Sequence, residues 1–308
     1  IQTRPENVLI TAGSQQAMAL ISQVLLKPGD VVLVESPTYS VALELFRALD
    51  LKIVGIPTDA QGMQVEPLEG LLQQHHAKLI YTVPNFQNPT GTCMSSPRRR
   101  QLLALADRYN VPILEDDFVG DLRYDGHAQP ALKALDPGGR VIYISTFSKM
   151  LMPGLRVGFL VVEGPVYDSL VGQKYVTDLA TSNLIQRALE SYVTVGRYQA
   201  HLRRCCRVYR KRRDAMLSAV RRHLPDGVRI DPPQGGFFAW LRLPDGLSSE
   251  TLFSLACAEG VTFMPGYRFF PDGASGADCL RLNFAAHPPS AIEDGIQRLG
   301  KAIRRALG

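Results

Sequence analysis

Ser145-Thr146-Phe147-Ser148-Lys149-Met150-Leu151-Met152-Pro153-Gly154-Leu155-Arg156-Val157-Gly158 follows the apolar run Val141-Ile142-Tyr143-Ile144, which reads as a buried strand. Small hydroxyl residues lead from that strand to a lysine. Pro153-Gly154 mark a turn, and Arg156 enters a second apolar run, residues 157–162. An amine at the end of a buried strand is poorly hydrated and releases its proton more readily, which suits it to form a Schiff base with an aldehyde. Hydroxyls before it and an arginine after it suit a phosphate. Taken alone, the stretch reads equally well as a loop with a surface lysine, the usual place for that residue.

Working outward, the neighbouring sequence repeats the same grammar. Apolar runs at 8–11, 31–34, 52–56, 79–83 and 111–114 read as strands. Helical periodicity separates them at 15–26, from about 40 to 49, at 68–76 and at 98–109. Ser14 stands where an N-cap of the first helix belongs. A small-residue turn feeding a helix N-terminus is either an anion site or an ordinary capped helix, and alone it favours the latter. Strands alternating with helices predict an α/β fold, a mostly parallel sheet in three layers. Ligands bind beyond the carboxyl ends of such strands. Asn88, Asp116 and the stretch from Ser145 to Lys149 each follow a strand and so share that edge. This coincidence favours a site over a set of unrelated loops. The aldehyde and phosphate that Lys149 and its neighbours suit occur together in pyridoxal 5′-phosphate (PLP).

From about residue 167 the pattern changes. Two long helices, 167–195 and 197–224, precede strands at 228–230 and 237–243, a helix at 248–259, an extended piece at 261–264, an alternating strand at 279–284 and a closing helix at 290–307. This predicts a large domain over 1–190 and a smaller C-terminal α+β domain over 191–308, with the boundary in or just after a long connecting helix. The second long helix carries Arg203, Arg204, Arg207, Arg210, Lys211, Arg212 and Arg213. A nucleic-acid patch is one reading; thin aromatic interleaving favours a solvated face with internal ion pairs.

The 308 residues, 45% hydrophobic and 20% charged, suffice for a substantial core. A net charge of +5 permits an anionic ligand without demanding nucleic acid. Five cysteines with no CxxC pair point to a reduced, cytoplasmic setting without a zinc or redox motif. No signal segment or bilayer-length apolar run is present. The chain opens at Ile1 and is strand-like within a few residues, so it reads as part of a longer protein whose large domain lacks its first segment.

The chain resembles PLP-dependent enzymes of the aspartate-aminotransferase type, fold type I, over nearly its whole length. The resemblance rests on Gly13-Ser14-Gln15-Gln16, Pro37-Thr38-Tyr39, Asn88-Pro89-Thr90-Gly91, Glu115-Asp116-Asp117, Ser148-Lys149 with Pro153-Gly154-Leu155-Arg156, Gly235-Gly236-Phe237 and Arg281-Leu282-Asn283-Phe284, in that order. It implies Lys149 as the Schiff-base lysine and proton carrier. Asp116 resembles the carboxylate partner of the pyridine nitrogen, which keeps the ring an electron sink; Asp117 competes for that role, and strand register favours Asp116. Asn88 resembles the donor to the ring oxygen, and Tyr39 the aromatic stacked on the ring. Ser14, Gln15, Thr146, Ser148 and Arg156 resemble the phosphate cup, although Ser148 also reads as a cap. Arg281 resembles the arginine that grips a substrate α-carboxylate, against the alternative of a surface arginine. The pattern departs at one place. The family has a tyrosine two or three residues after the aspartate, donating to the same ring oxygen as the asparagine. Phe118 and Val119 stand there, which leaves PLP binding intact and makes efficient transamination doubtful.

Closer still, Ala12-Gly13-Ser14-Gln15-Gln16-Ala17, Glu115-Asp116-Asp117 through Leu122-Arg123-Tyr124, Thr146-Phe147-Ser148-Lys149 and His201-Leu202-Arg203-Arg204 resemble the C-terminal aminotransferase-like domain of MocR-type regulators of the GntR superfamily. That resemblance implies an effector-sensing domain for an amino acid or B6 vitamer, with DNA bound only through a winged-helix domain preceding the chain. The alternative is a stand-alone amino-acid aminotransferase of the 2-aminoadipate type with broad specificity. Either implies a homodimer with no metal and no membrane. A cofactor-free interaction module is the remaining reading.

Overall fold

A computed structural model describes residues 1–308. The first part of the chain alternates as its periodicity predicts. In order come β1 (Val8–Thr11), α1 (Ser14–Leu25), β2 (Val31–Ser36), α2 (Ser40–Ala48), β3 (Lys52–Asp59), β4 (Gly62–Met63), α3 (Leu68–His75), β5 (Leu79–Thr82), α4 (Ser96–Arg108), β6 (Ile113–Asp116), the single turn α5 (Leu132–Leu135), β7 (Val141–Thr146), the single turn α6 (Phe147–Met150), β8 (Gly158–Val161) and α7 (Pro165–Asp178). The eight strands form one sheet in the order β1-β8-β7-β6-β5-β2-β3-β4. The run β3-β2-β5-β6-β7 is parallel throughout. β8 runs antiparallel to both β7 and β1, so β1 points the same way as β7.

Alternate side chains of these strands face opposite layers. Val32, Val34, Leu79, Tyr81, Leu114, Ile142 and Ile144 pack with α1, α2 and α7. Leu33, Ile80, Ile113 and Val141 pack with α3, α4 and α5. Each such fully buried aliphatic side chain contributes about 1.5–3 kcal/mol. The result is a helix–sheet–helix sandwich.

The remaining chain forms α8 (Asn183–Thr194), α9 (Arg197–His223), β9 (Arg229–Ile230), β10 (Phe238–Arg242), α10 (Ser249–Ala258), β11 (Met264–Pro265), β12 (Cys279–Asn283) and α11 (Pro289–Leu307). Its four strands make an antiparallel sheet, β11-β12-β10-β9. Ile292, Ile296, Leu299 and Ile303 of α11 pack with Met216 and Val220 of α9 in a core that also takes in Phe86, Val119, Leu122, Tyr124 and Met150. The smaller sheet is therefore docked on the loops at the carboxyl edge of the larger one.

The single helix predicted over 167–195 is two helices. Leu179 takes a left-handed backbone, φ +60°, which an α-helix does not accommodate. The buried Thr181 offers its carbonyl to the Gln186 side-chain amide at 2.9 Å, and α8 restarts after Ser182. The apolar periodicity runs through this break and conceals it. No helix is long and apolar enough to cross a membrane, and all five cysteines are free thiols.

Candidate active site

The carboxyl ends of β1, β2, β5, β6 and β7 and the start of β8 lie on one edge of the large sheet. On β6 the pleat sorts three consecutive acids. Glu115 points toward α5, where its carboxylate accepts the backbone N–H groups of Leu132 and Lys133 at 2.7 and 2.9 Å. Asp116 points the other way, beside Tyr81, whose hydroxyl donates to Oδ2 at 3.1 Å. Asp117 leaves the strand end and is held by Asn85 Nδ2 at 3.1 Å and the Tyr143 hydroxyl at 2.9 Å. Asp116 and not Asp117 therefore faces the cavity described next. Its Oδ1 is buried without any hydrogen-bond partner. Burial lifts its pKa from 3.8 to about 7, opposed by the Tyr81 hydrogen bond and aided by the charge of Asp117.

Ser14, Gln15, Tyr39, Asn88, Asp116, Thr146, Ser148, Lys149, Arg156 and Arg281, all ten residues singled out in the sequence, line one cavity of about 740 Å³. Three of them sit differently from expectation. Lys149 is exposed, with no ion-pair partner, because α6 begins directly after β7 and carries the side chain off the strand end into the open cavity. The poor hydration inferred from the strand does not hold. Ser14 is the first residue of α1 and not its cap; Gly13, at φ +98°, is the cap residue, and the Gln16 side chain accepts the Ala12 N–H at 2.7 Å instead. The first-turn N–H groups of Ser14 and Gln15 are thus left without helical partners. Thr146 caps α6, accepting the Ser148 N–H at 3.1 Å and donating to the Val157 carbonyl at 3.2 Å. Its hydroxyl hydrogen is already engaged, whereas Ser148 is not a cap and keeps its own.

Arg156 donates to Ser148 Oγ at 3.2 Å and to the Ala12 carbonyl at 2.8 Å, which brings the start of α6 and the approach to α1 together. A Cβ at Gly13 would lie 2.8 Å from the Arg156 guanidinium. These groups make a concave cluster of donors of the kind that holds a phosphate.

Arg281 of β12 donates to Asn88 Oδ1 at 2.7 Å and lies over the rings of Phe238 and Phe269, 4.1 and 4.9 Å from their centroids. No carboxylate pairs with it. Burial lowers its pKa to about 10, partly offset by Tyr39. Asn88 keeps its amide hydrogens free for the cavity. Tyr39, at the start of α2, has its pKa raised by burial and by the charge of Asp116. Phe118 lines the cavity with no hydroxyl to offer.

Sequence reasoning missed Tyr81, Phe238 and Tyr209. Tyr81 was legible as the residue that shares a sheet face with Asp116. Tyr209 sits on α9, lines the cavity and packs edge-on to Phe237 at 5.2 Å; nothing in the helix sequence marks it. The Leu122-Arg123-Tyr124 motif meets Gly235-Gly236: the Tyr124 hydroxyl donates to the Gly236 carbonyl, Tyr124 N–H donates to the Gln234 carbonyl at 2.8 Å, and Arg123 stacks on Phe86 at 4.8 Å. Of the basic residues on α9, Arg213 pairs with Asp125 at 2.5 Å and Asp214 at 2.7 Å, Arg210 with Asp125 at 3.2 Å, and Arg222 with Glu293 at 2.5 Å.

The family described as aminotransferase class I and II matches residues 1–299. Aromatic-amino-acid aminotransferase 1 of Thermococcus litoralis is 40% identical over 98% of the chain and 73% of its own length. The solved α-aminoadipate aminotransferase of Thermus thermophilus, complexed with N-(5′-phosphopyridoxyl)-L-leucine, superposes with a TM-score of 0.94 at 39% identity, covering 99% of this chain and 79% of that one. An uncharacterised HTH-type transcriptional regulator of Bacillus subtilis is 34% identical over the whole chain and 63% of its own length.

Proposed function

The chain belongs to the class I and II aminotransferase family, and on that premise we propose that it is a PLP-dependent aminotransferase of α-amino acids. The observation that carries this reading is the buried, partnerless Oδ1 of Asp116 at the floor of a cavity that also holds an unpaired lysine, a donor cup and an unpaired arginine. A buried carboxylate oxygen without a donor costs about 1–3 kcal/mol, and a protonated ring nitrogen is the donor it fits. Aminotransferase chemistry takes precedence over the regulatory reading because the enzymes match at 40% and 39% identity and the regulator at 34%.

When bound, the cofactor supplies an aldehyde for amines and a ring that withdraws electrons from the substrate Cα. In this proposal the residues divide the remaining work. Lys149 Nζ holds the aldehyde and moves the proton to and from Cα. Asp116 keeps the ring nitrogen protonated. Asn88 Nδ2 donates to the ring oxygen while Arg281 holds its Oδ1. Tyr39 covers the ring face. The N–H groups of Ser14 and Gln15, the Ser148 hydroxyl and Arg156 hold the phosphate, and Thr146 shapes that cup by capping α6. Arg281, half-buried against Phe238 and Phe269, takes the substrate α-carboxylate as a bidentate pair. We also propose a homodimer in a reduced, cytoplasmic setting.

Loading the protein with PLP and adding single amino acids tests the reading. A visible band that bleaches as keto acid appears is the expected result; Lys149→Ala should lose the borohydride-reducible attachment. No band in the loaded protein, or an attachment that survives in Lys149→Ala, overturns it. One observation favours the second reading, an effector-sensing domain: Phe118 removes a donor to the ring oxygen. If amino acids bind and alter the spectrum without forming keto acid, and Phe118→Tyr restores turnover, the sensing reading replaces the enzymatic one.

A further inference from the structure

Two buried side chains outside the cavity join the loops that carry Asn88 and Tyr39. Glu35, at the end of β2, and Gln87 are 1% and 2% exposed. Glu35 Oε1 accepts the Thr82 hydroxyl at 2.7 Å; Oε2 accepts the Val83 N–H and the Gln87 amide, both at 3.1 Å. The same Gln87 nitrogen donates to the Pro37 carbonyl at 2.7 Å. Gln87 Oε1 accepts both the Thr90 N–H at 3.0 Å and the Thr90 hydroxyl at 2.7 Å. Every donor and acceptor of the Gln87 amide is therefore used. Pro37 lies two residues before Tyr39, and Gln87 immediately precedes Asn88. A single amide nitrogen thus spans the two loops.

We propose that Gln87, anchored on Glu35, is the positioning residue that fixes Asn88 relative to Tyr39 and so sets the hydrogen bond to the cofactor's ring oxygen. This inference rests on the PLP reading above. Asn88 carries an unusual burden in this chain. Phe118 supplies no second hydroxyl, and Asn88 Oδ1 is already taken by Arg281. No second donor to the ring oxygen then makes up for an Asn88 amide that shifts; Arg281 steadies its oxygen, and the loop behind it sets where the amide sits. Hydrogen bonds weaken steeply with misalignment, so a loop displaced by a few tenths of an ångström is felt at the ring oxygen. Because the network is closed and buried, breaking it at Gln87 leaves Glu35 and the Pro37 carbonyl facing each other without a donor between them.

Glu35 acts here through its oxygens and not through its charge. In Glu35→Gln the amide oxygen can take the place of Oε2, and the new NH2 faces the Thr82 hydroxyl, which can accept as well as donate. The clamp then survives while the charge is gone. In Gln87→Glu the donors to Glu35 and Pro37 are lost at nearly constant shape.

The readout is the pH at which the visible band of the PLP-loaded protein changes. A donor to the ring oxygen favours its more negatively charged, deprotonated form, so weakening Asn88 raises that pH. The titratable groups lining the cavity are Tyr39, Asp116, Lys149, Arg156, Tyr209 and Arg281, and Asp116 is the charge that Glu35 feels. These stay in place, but Gln87→Glu adds a carboxyl whose charge pushes the transition the same way, so Thr90→Val, which adds no charge, separates the lost hydrogen bonds from the added charge. Gln87→Glu should raise the transition by about one pH unit, the size of one hydrogen bond to a charged group. Thr90→Val, a milder break on the other side of Gln87, should raise it by less and serves if Gln87→Glu does not fold. Glu35→Gln should leave it in place. Wild-type protein without a visible band overturns the PLP reading and this one with it. A band whose transition stays put in folded Gln87→Glu and Thr90→Val but moves in Asn88→Ala overturns this inference alone. So does a Glu35→Gln shift as large as that of Gln87→Glu. A purely structural clamp would lower the melting temperature of these variants without moving the spectrum.

Discussion

Asp116 is the residue at which the energetics of the site are concentrated. A carboxyl whose pKa is higher folded than unfolded binds more protons when folded in the window between the two values. Stability of the cofactor-free protein therefore falls as pH rises from the ordinary 3.8 toward about 7. Glu35 and Glu115, both buried and also lifted to about 7, mainly by desolvation, act in the same direction. Glu35 and Glu115 have their donors within the protein, whereas the Oδ1 of Asp116 has none. Asp116→Asn should accordingly flatten part of this slope and make the cofactor-free protein more stable at pH 8 by about 1–3 kcal/mol, read from denaturant unfolding at pH 5 and pH 8. The same variant should bind PLP about 10- to 100-fold more weakly, since it gives up one charge-assisted hydrogen bond. A variant that is less stable at pH 8, with PLP affinity intact, would mean that Asp116 is an ordinary structural acid.

Among the elements, those on the sheet edge were legible and those around them less so. Strand and helix alternation showed in the apolar runs because each strand is buried on both faces, and turn residues after each strand marked the edge. Asp116 could be preferred over Asp117 because a strand sends alternate residues to opposite faces. The exposure of Lys149 was not legible, since one turn of helix inserted after β7 redirects the side chain without any break in composition. The antiparallel direction of β8 has no sequence mark, nor does the break at Leu179. The Gln87 clamp depends on contacts across some fifty residues, which no local pattern encodes. The junction of α1 and β8 shows how tightly the cup is built. A Cβ at Gly158 would lie 2.7 Å from the Gly13 carbonyl carbon and 2.8 Å from both Gly13 Cα and the Ser145 oxygen, all of them backbone. Gly158→Ala should therefore destabilise by about 1–3 kcal/mol and weaken binding of free PLP as α1 is pushed from Arg156. Gly154→Ala, which meets nothing within 4 Å, is the matched control. Equal unfolding midpoints for the two would mean that the junction can give.

At the scale of the whole molecule, the end of α7 and the start of α8 leave apolar side chains in water. Val176 and Leu179 at the end of α7 and Leu184 at the start of α8 are each at least 70% exposed, and Tyr175 is 64% exposed. Exposed apolar side chains close together in the chain are what the homodimer proposed above would cover, and a symmetric self-association is the commonest way to do so. The patch is mechanically close to the phosphate cup. Asp178, one residue before Leu179, accepts the Gln16 amide at 2.8 Å and pairs with the buried Lys174 at 2.7 Å; Gln16 in turn holds the Ala12 N–H at the entrance to α1. Ordering the end of α7 therefore orders the donors of Ser14 and Gln15. Val176→Glu combined with Leu184→Glu places like charges on both sides of a two-fold contact, so sedimentation velocity should show a dimer for the wild type and a monomer for the variant, with unchanged circular dichroism. PLP should bind the monomer more weakly, because the last turn of α7 then loses its support while Asp116, Lys149 and Arg281 keep theirs. A wild type that sediments as a monomer at micromolar concentration would remove the dimer. A monomeric variant that binds PLP as tightly as the wild type would uncouple the patch from the cup.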